Sequence, residues 1–138
     1  MKEIIIDGTN LDIETIYEVS VAKTGQLNVK LSDESRSKIL RSRKYVDDIV
    51  EKGEPVYGIN TGFGALSNKF IEKEDLATLQ YNLIRSHCTG VGNPFPTITT
   101  RAIMLLRANC LASGFSGVSI ECIDLLLDFL NNHITPVV

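Results

Sequence analysis

Glycine and proline interrupt this 138-residue chain wherever its helical apolar periodicity stops, and that punctuation confines it to helices joined by short irregular links. The strongest segment runs from Asp33 to Lys52. Ser32 is a natural N-cap because its hydroxyl can accept from a free backbone N–H. Ile39, Val46, Ile49 and Val50 recur at helical spacing, Gly53 ends the segment and Pro55 forbids its continuation. Further helices are expected over about 12–22, closed by Gly25, and over about 72–87, with Leu76, Leu79, Leu83 and Ile84 as the apolar side. Another is expected over 99–113, with Ile103, Leu106, Cys110 and Leu111 inward and Gly114 as its stop. The last spans 117–132, with Ile120, Ile123, Leu126, Leu127 and Leu130 inward and Pro136 beyond it. Ile4 to Asn10 reads as a short strand ending at the Asp7-Gly8 turn, and Val29 and Leu31 as a brief extended link. The fold class is mainly α, with a small N-terminal strand.

Composition removes several function classes. A formal net charge of −3, with both signs interspersed, gives no basic stripe for nucleic acid. The densest positive run, Arg36, Lys38, Arg41, Arg43 and Lys44, spreads around a helix and reads as a solvated face. No stretch approaches the ~18 consecutive apolar residues of a membrane span, and an acid interrupts the short apolar run Ile4-Ile5-Ile6. No membrane partner is expected, and a cytoplasmic location follows by default. Cys88, Cys110 and Cys122 form neither a disulfide framework nor a zinc pattern. Cys110 and Cys122 read as small buried hydrophobes, and Cys88 is set about 100° around its helix from the adjacent histidine.

The chemistry concentrates in what lies between the helices. Tyr57-Gly58-Ile59-Asn60-Thr61-Gly62-Phe63-Gly64 places three glycines in eight residues, which excludes a stable helix and marks a loop with unusual backbone angles. Asn60 can orient such a loop through its side-chain amide. The expected helix after it ends at Ser86-His87, with Gln80 and His87 about 20° apart on one face. A histidine there commonly bonds the last carbonyls or favours the helix dipole. His133, near the end of the final helix, reads as a capping histidine. Gly90-Val91-Gly92 is too short for a nucleotide fingerprint.

The Tyr57–Gly64 loop followed by Leu79-Gln80-Tyr81-Asn82-Leu83-Ile84-Arg85-Ser86-His87 resembles the histidine, phenylalanine and tyrosine ammonia-lyase family. Gly90-Val91-Gly92, Arg107-Ala108-Asn109, Gly114-Phe115-Ser116-Gly117-Val118 and Ile134-Thr135-Pro136-Val137-Val138 extend the resemblance in the same order. It implies that residues 1–138 form an amino-terminal helical domain, partial and cut before the cofactor-forming segment. In that family an Ala-Ser-Gly cyclises to 4-methylidene-imidazole-5-one, an electrophile that makes the substrate amine a leaving group, and this tripeptide is expected beyond Val138. Ala112-Ser113-Gly114 spells the same letters, but at a helix end, where glycine has an ordinary terminating role.

The resemblance gives Tyr57 the role of the base that removes a proton from the substrate β-carbon; otherwise it reads as a tyrosine packed by its ring at a loop base. A free phenol titrates near pH ~10, so a phenolic base needs nearby donors or cations. His87 matches the histidine that contacts a substrate imidazole, and the polar pair Ser86-His87 resembles histidine selectivity, whereas phenylalanine and tyrosine enzymes carry an apolar pair or histidine followed by leucine. Gly64 resembles a glycine near bound substrate. The implied activity is elimination of ammonia from L-histidine to give trans-urocanate, in a homotetramer, with the present piece alone inactive. Two alternatives stay open: a tyrosine or phenylalanine ammonia-lyase or aminomutase, and a non-catalytic helical association module.

Overall fold

The computed structural model describes residues 1–138. They divide into two compact units, residues 1–43 with 93–138 and residues 44–92. In the first, β1 (Lys2–Ile6) and β2 (Leu27–Leu31) form a two-stranded parallel sheet, with Ile4 opposite Val29. The crossover between them carries α1 (Ile13–Val21), which Asp12 caps by accepting from the Thr15 N–H at 2.8 Å. α2 (Asp33–Lys52) follows, with Ser32 Oγ accepting from the Ser35 N–H at 3.1 Å, as its sequence predicts. α4 (Thr97–Ala112) packs between α1 and α5 (Ile120–Asn131), and α5 packs on β2. Asn131 fastens that junction: its Oδ1 accepts from the Val29 N–H at 2.8 Å and its Nδ2 donates to the Val29 carbonyl at 3.0 Å.

Apolar burial holds this unit together, with Ile6, Val19, Val29, Ile39, Leu105, Ala108, Ala112, Ile123 and Leu130 shut off from solvent. Each large aliphatic among them contributes about 1.5–3 kcal/mol relative to an exposed side chain. The strand begins earlier and ends earlier than its sequence suggests, because Asp7 leaves the sheet to form a turn. Its carboxylate accepts from the Thr9 N–H, the Thr9 hydroxyl and the Asn10 N–H, which hold it below the ordinary carboxylate pKa. Gly8 is required there: its φ is +95°, and a Cβ would stand 2.8 Å from the Ser113 backbone. The Val29–Leu31 segment is a full strand, paired with β1, rather than a link.

The inward face of α4 differs from the sequence expectation. Ile103 and Leu106 are exposed, as is Cys110, while Met104, Leu105, Ala108, Leu111 and Ala112 are buried together with Thr100 and Arg101. This helix carries apolar residues on every side, so periodicity does not choose the face; contacts with α1 and α5 do. Cys122 is exposed as well, so neither cysteine is the buried hydrophobe its neighbours suggest. On α5, Ile123, Leu127 and Leu130 do face the core. The basic run of α2 is solvated: Arg36 pairs bidentately with Asp124, and Lys38 with Glu34 at 2.7 Å.

The second unit holds the end of α2, the glycine-rich loop and α3 (Leu76–His87), which a 3-10 turn over Lys73–Asp75 introduces. α3 buries no residue within the chain; Leu76, Leu79 and Leu83 are half-covered and Ile84 is exposed. No helix is long and apolar enough to cross a membrane.

Candidate active-site residues

Tyr57 occupies a backbone corner that sequence chemistry explains. The Ile59 N–H donates to the Val56 carbonyl at 3.1 Å, and Gly58 has φ +81°, the value a type II turn needs at its third position. The corner residue before it is Tyr57, whose side chain therefore points out of the loop and is 65% exposed. The ring is not packed into a loop base; its one aromatic neighbour is Phe63, edge to face at 6.3 Å between centroids.

Asn60 holds this corner. It is 1% exposed, its Oδ1 accepts from the Val56 N–H at 2.7 Å, and its Nδ2 donates to the Glu54 carbonyl at 2.8 Å. Its backbone carbonyl accepts from the Ile71 N–H at 2.9 Å, beside the antiparallel bridge between Thr61 and Phe70. One buried amide thus ties both sides of the turn that displays Tyr57. Gly62 fits beneath the following turn, where a Cβ would meet the Leu66 carbonyl oxygen at 2.6 Å. Gly64, with φ +57°, opens the 3-10 turn Gly64–Leu66, and space is free where a Cβ would stand.

Ser86 and His87 close α3 as an interacting pair. Ser86 Oγ donates to the Leu83 carbonyl at 2.9 Å, and His87 Nδ1 lies 2.9 Å from both that carbonyl and Ser86 Oγ. This is the carbonyl contact typical of a helix-end histidine, and it engages one ring nitrogen only. Nearby, the Arg85 guanidinium lies 4.5 Å over the Tyr81 ring. Gly64 and Tyr57 share one loop, with Phe63 between them in sequence and against the Tyr57 ring. No hydrogen bond or ring contact joins that loop to Ser86–His87. The two grooves of note, about 500 Å³ and about 490 Å³, belong to the first unit and include none of these four residues.

Ala112-Ser113-Gly114 does not fit the cyclised cofactor. Ala112 is the last residue of α4, and the Gly114 N–H, which would have to attack the Ala112 carbonyl carbon, donates instead to the Leu111 carbonyl at 3.0 Å. Gly114, at φ +80°, seats against Lys38, where a Cβ would come within 2.5 Å. These are the features of a helix terminus.

Nothing local in the chain marks Arg101 as buried. It is 4% exposed, and its guanidinium donates to the carbonyls of Val19 and Leu130, both at 2.8 Å, and of Ser20 at 3.2 Å. A threonine-rich helix start offers no pattern that distinguishes such an arginine from a solvated one. It organises the core of the first unit, whereas Tyr57 and His87 belong to the second.

The chain is 48% identical over its whole length to a histidine ammonia-lyase of Caldanaerobacter subterraneus and 51% identical to one of Treponema denticola, spanning 27% of each. Among solved structures, it resembles an ergothionase from Treponema denticola with a TM-score of 0.90 and 35% identity, over 99% of this chain and 27% of that one. A tyrosine aminomutase from Streptomyces globisporus gives a TM-score of 0.90 and 34% identity, over 99% of this chain and 25% of that one. The chain thus spans about a quarter of the length of the curated relatives it matches. The family model for aromatic amino acid lyases matches residues 11–138, and the chain belongs to that family.

Proposed function

We propose that this chain supplies the amino-terminal part of a histidine ammonia-lyase, which converts L-histidine to trans-urocanate and ammonia. The observation that carries the reading is similarity along the whole of this chain to histidine ammonia-lyases at 48% and 51% identity, and Tyr57 and Ser86-His87 lie in segments whose sequence resembles the family's motifs. In this reading the Tyr57 oxygen takes the β-proton of the substrate. The C–H electrons form the Cα–Cβ double bond, and the amine departs with the C–N pair. Such a proton is weakly acidic, so the base must be aimed and kept from competing water. The Asn60-braced turn supplies the aim from this chain. His87 contacts the substrate imidazole, Ser86 stands beside it, and Gly64 lets substrate approach the loop backbone.

The 4-methylidene-imidazole-5-one, formed from an Ala-Ser-Gly outside residues 1–138, supplies the electrophile that activates the amine. A homotetramer in the cytoplasm, with each site drawing on more than one subunit, completes the proposal. Residues 1–138 alone are expected to release no urocanate from L-histidine. A complete lyase carrying this sequence as its amino-terminal part is expected to turn over histidine in preference to tyrosine and phenylalanine, and a preference for tyrosine would overturn the assignment. The resemblance to tyrosine aminomutase favours a second reading, in which the same base serves an amino-group migration. A β-amino acid product in the same assay would identify it.

A further inference from the structure

The triangle of polar atoms at the end of α3 bears on what His87 can recognise. Leu83 O, Ser86 Oγ and His87 Nδ1 lie 2.9 Å from one another. A carbonyl can only accept. Were Nδ1 unprotonated, its lone pair would face the Leu83 oxygen at hydrogen-bond distance, and the single serine proton would have to serve both. With a proton on Nδ1, each contact has one donor and one acceptor: the serine hydroxyl donates to the carbonyl, and Nδ1–H donates to the carbonyl and the serine oxygen. A neutral imidazole in water favours the other tautomer, so this arrangement opposes the ring's intrinsic preference.

We propose that Ser86, acting with the Leu83 carbonyl, is a positioning residue that holds neutral His87 as the Nδ1–H tautomer, leaving Nε2 as a bare acceptor for a ring N–H of the ligand. This inference rests on the lyase reading for its ligand, but its physical content does not. It gives Ser86 control of the His87 tautomer, and it names the ligand class as side chains ending in a hydrogen-bond donor, such as a neutral imidazole. A ring presenting only an acceptor would meet the Nε2 lone pair unfavourably.

The 138-residue chain suits a direct test because it holds two histidines, His87 and His133. Long-range proton–nitrogen correlation spectra of the uniformly labelled chain, with both imidazoles neutral, report which ring nitrogen carries the proton, and His133→Asn assigns the signals. The expected result is a protonated Nδ1 and a pyridine-like Nε2 at His87. In Ser86→Ala the tautomer ratio is expected to fall roughly five- to tenfold, as for loss of one ordinary hydrogen bond, and Ser86→Thr is expected to restore it. A wild-type His87 protonated at Nε2, or a ratio unchanged in Ser86→Ala, would overturn the proposal. Neither outcome touches the lyase reading, which fails separately if a complete lyase carrying this sequence prefers tyrosine.

Discussion

Arg101 carries a full charge into the core of the first unit and meets no carboxylate there. Its partners are three backbone carbonyls from the last turns of α1 and α5, where the helix dipoles are negative. Burial pushes its pKa below the ordinary arginine value, yet the guanidinium stays protonated. The residue thereby joins two helix ends that would otherwise bury unsatisfied oxygens. Arg101→Met should preserve volume but strand those carbonyls, at a cost of about 3 kcal/mol. Urea unfolding should show a lower midpoint with an unchanged slope; an unchanged midpoint would mean that the carbonyls find water instead. Asn60 works by the same logic on a smaller scale. A buried amide with both ends bonded fixes one turn, and that turn presents Tyr57.

At the scale of elements, α5 ends in a Schellman arrangement: the Ile134 N–H donates to the Phe129 carbonyl at 2.9 Å, and His133 occupies the left-handed position with φ +57°. Burial and the positive charge of Arg101 lower the His133 pKa, against a hydrogen bond to the Lys23 backbone. The folded state thus disfavours the charged imidazole, so the unfolded chain binds the proton first as pH falls. The contribution of His133 is complete above its ordinary pKa of 6.5 and is lost progressively below it, down to the depressed folded value. Unfolding free energies measured from pH 7 downward should decline over that window, and His133→Asn, which tolerates the left-handed backbone, should flatten the decline. The helices were legible in sequence because Ser32, Gly53, Gly114 and Pro136 are local signals, read within one turn of chain. The α4 face and the β1–β2 pairing were not, because both depend on residues about twenty or more positions away. At the candidate site the loop and the bracing role of Asn60 followed from residue chemistry. The outward Tyr57 ring did not, since the turn type that displays it depends on the Gly58 backbone angle.

Over the whole molecule, apolar surface exceeds what its own residues cover. Ile13, Tyr17 and Val21 form an exposed stripe along α1, and Phe115 is 92% exposed. α3 buries nothing, although Leu76, Leu79 and Leu83 line one side of it. The chain spans about a quarter of its curated relatives, and surface of this kind drives association. Sedimentation velocity at rising concentration should show species larger than the 15.2 kDa monomer, and a single monomer boundary throughout would contradict that expectation. In the proposed lyase, turnover hinges on one oxygen atom. In a complete lyase carrying this sequence, Tyr57→Phe removes the phenolic hydroxyl and keeps the ring against Phe63, so kcat for urocanate release should fall by about 100-fold or more while the fold persists. Turnover equal to that of the unaltered enzyme would contradict the assignment of Tyr57 as the base.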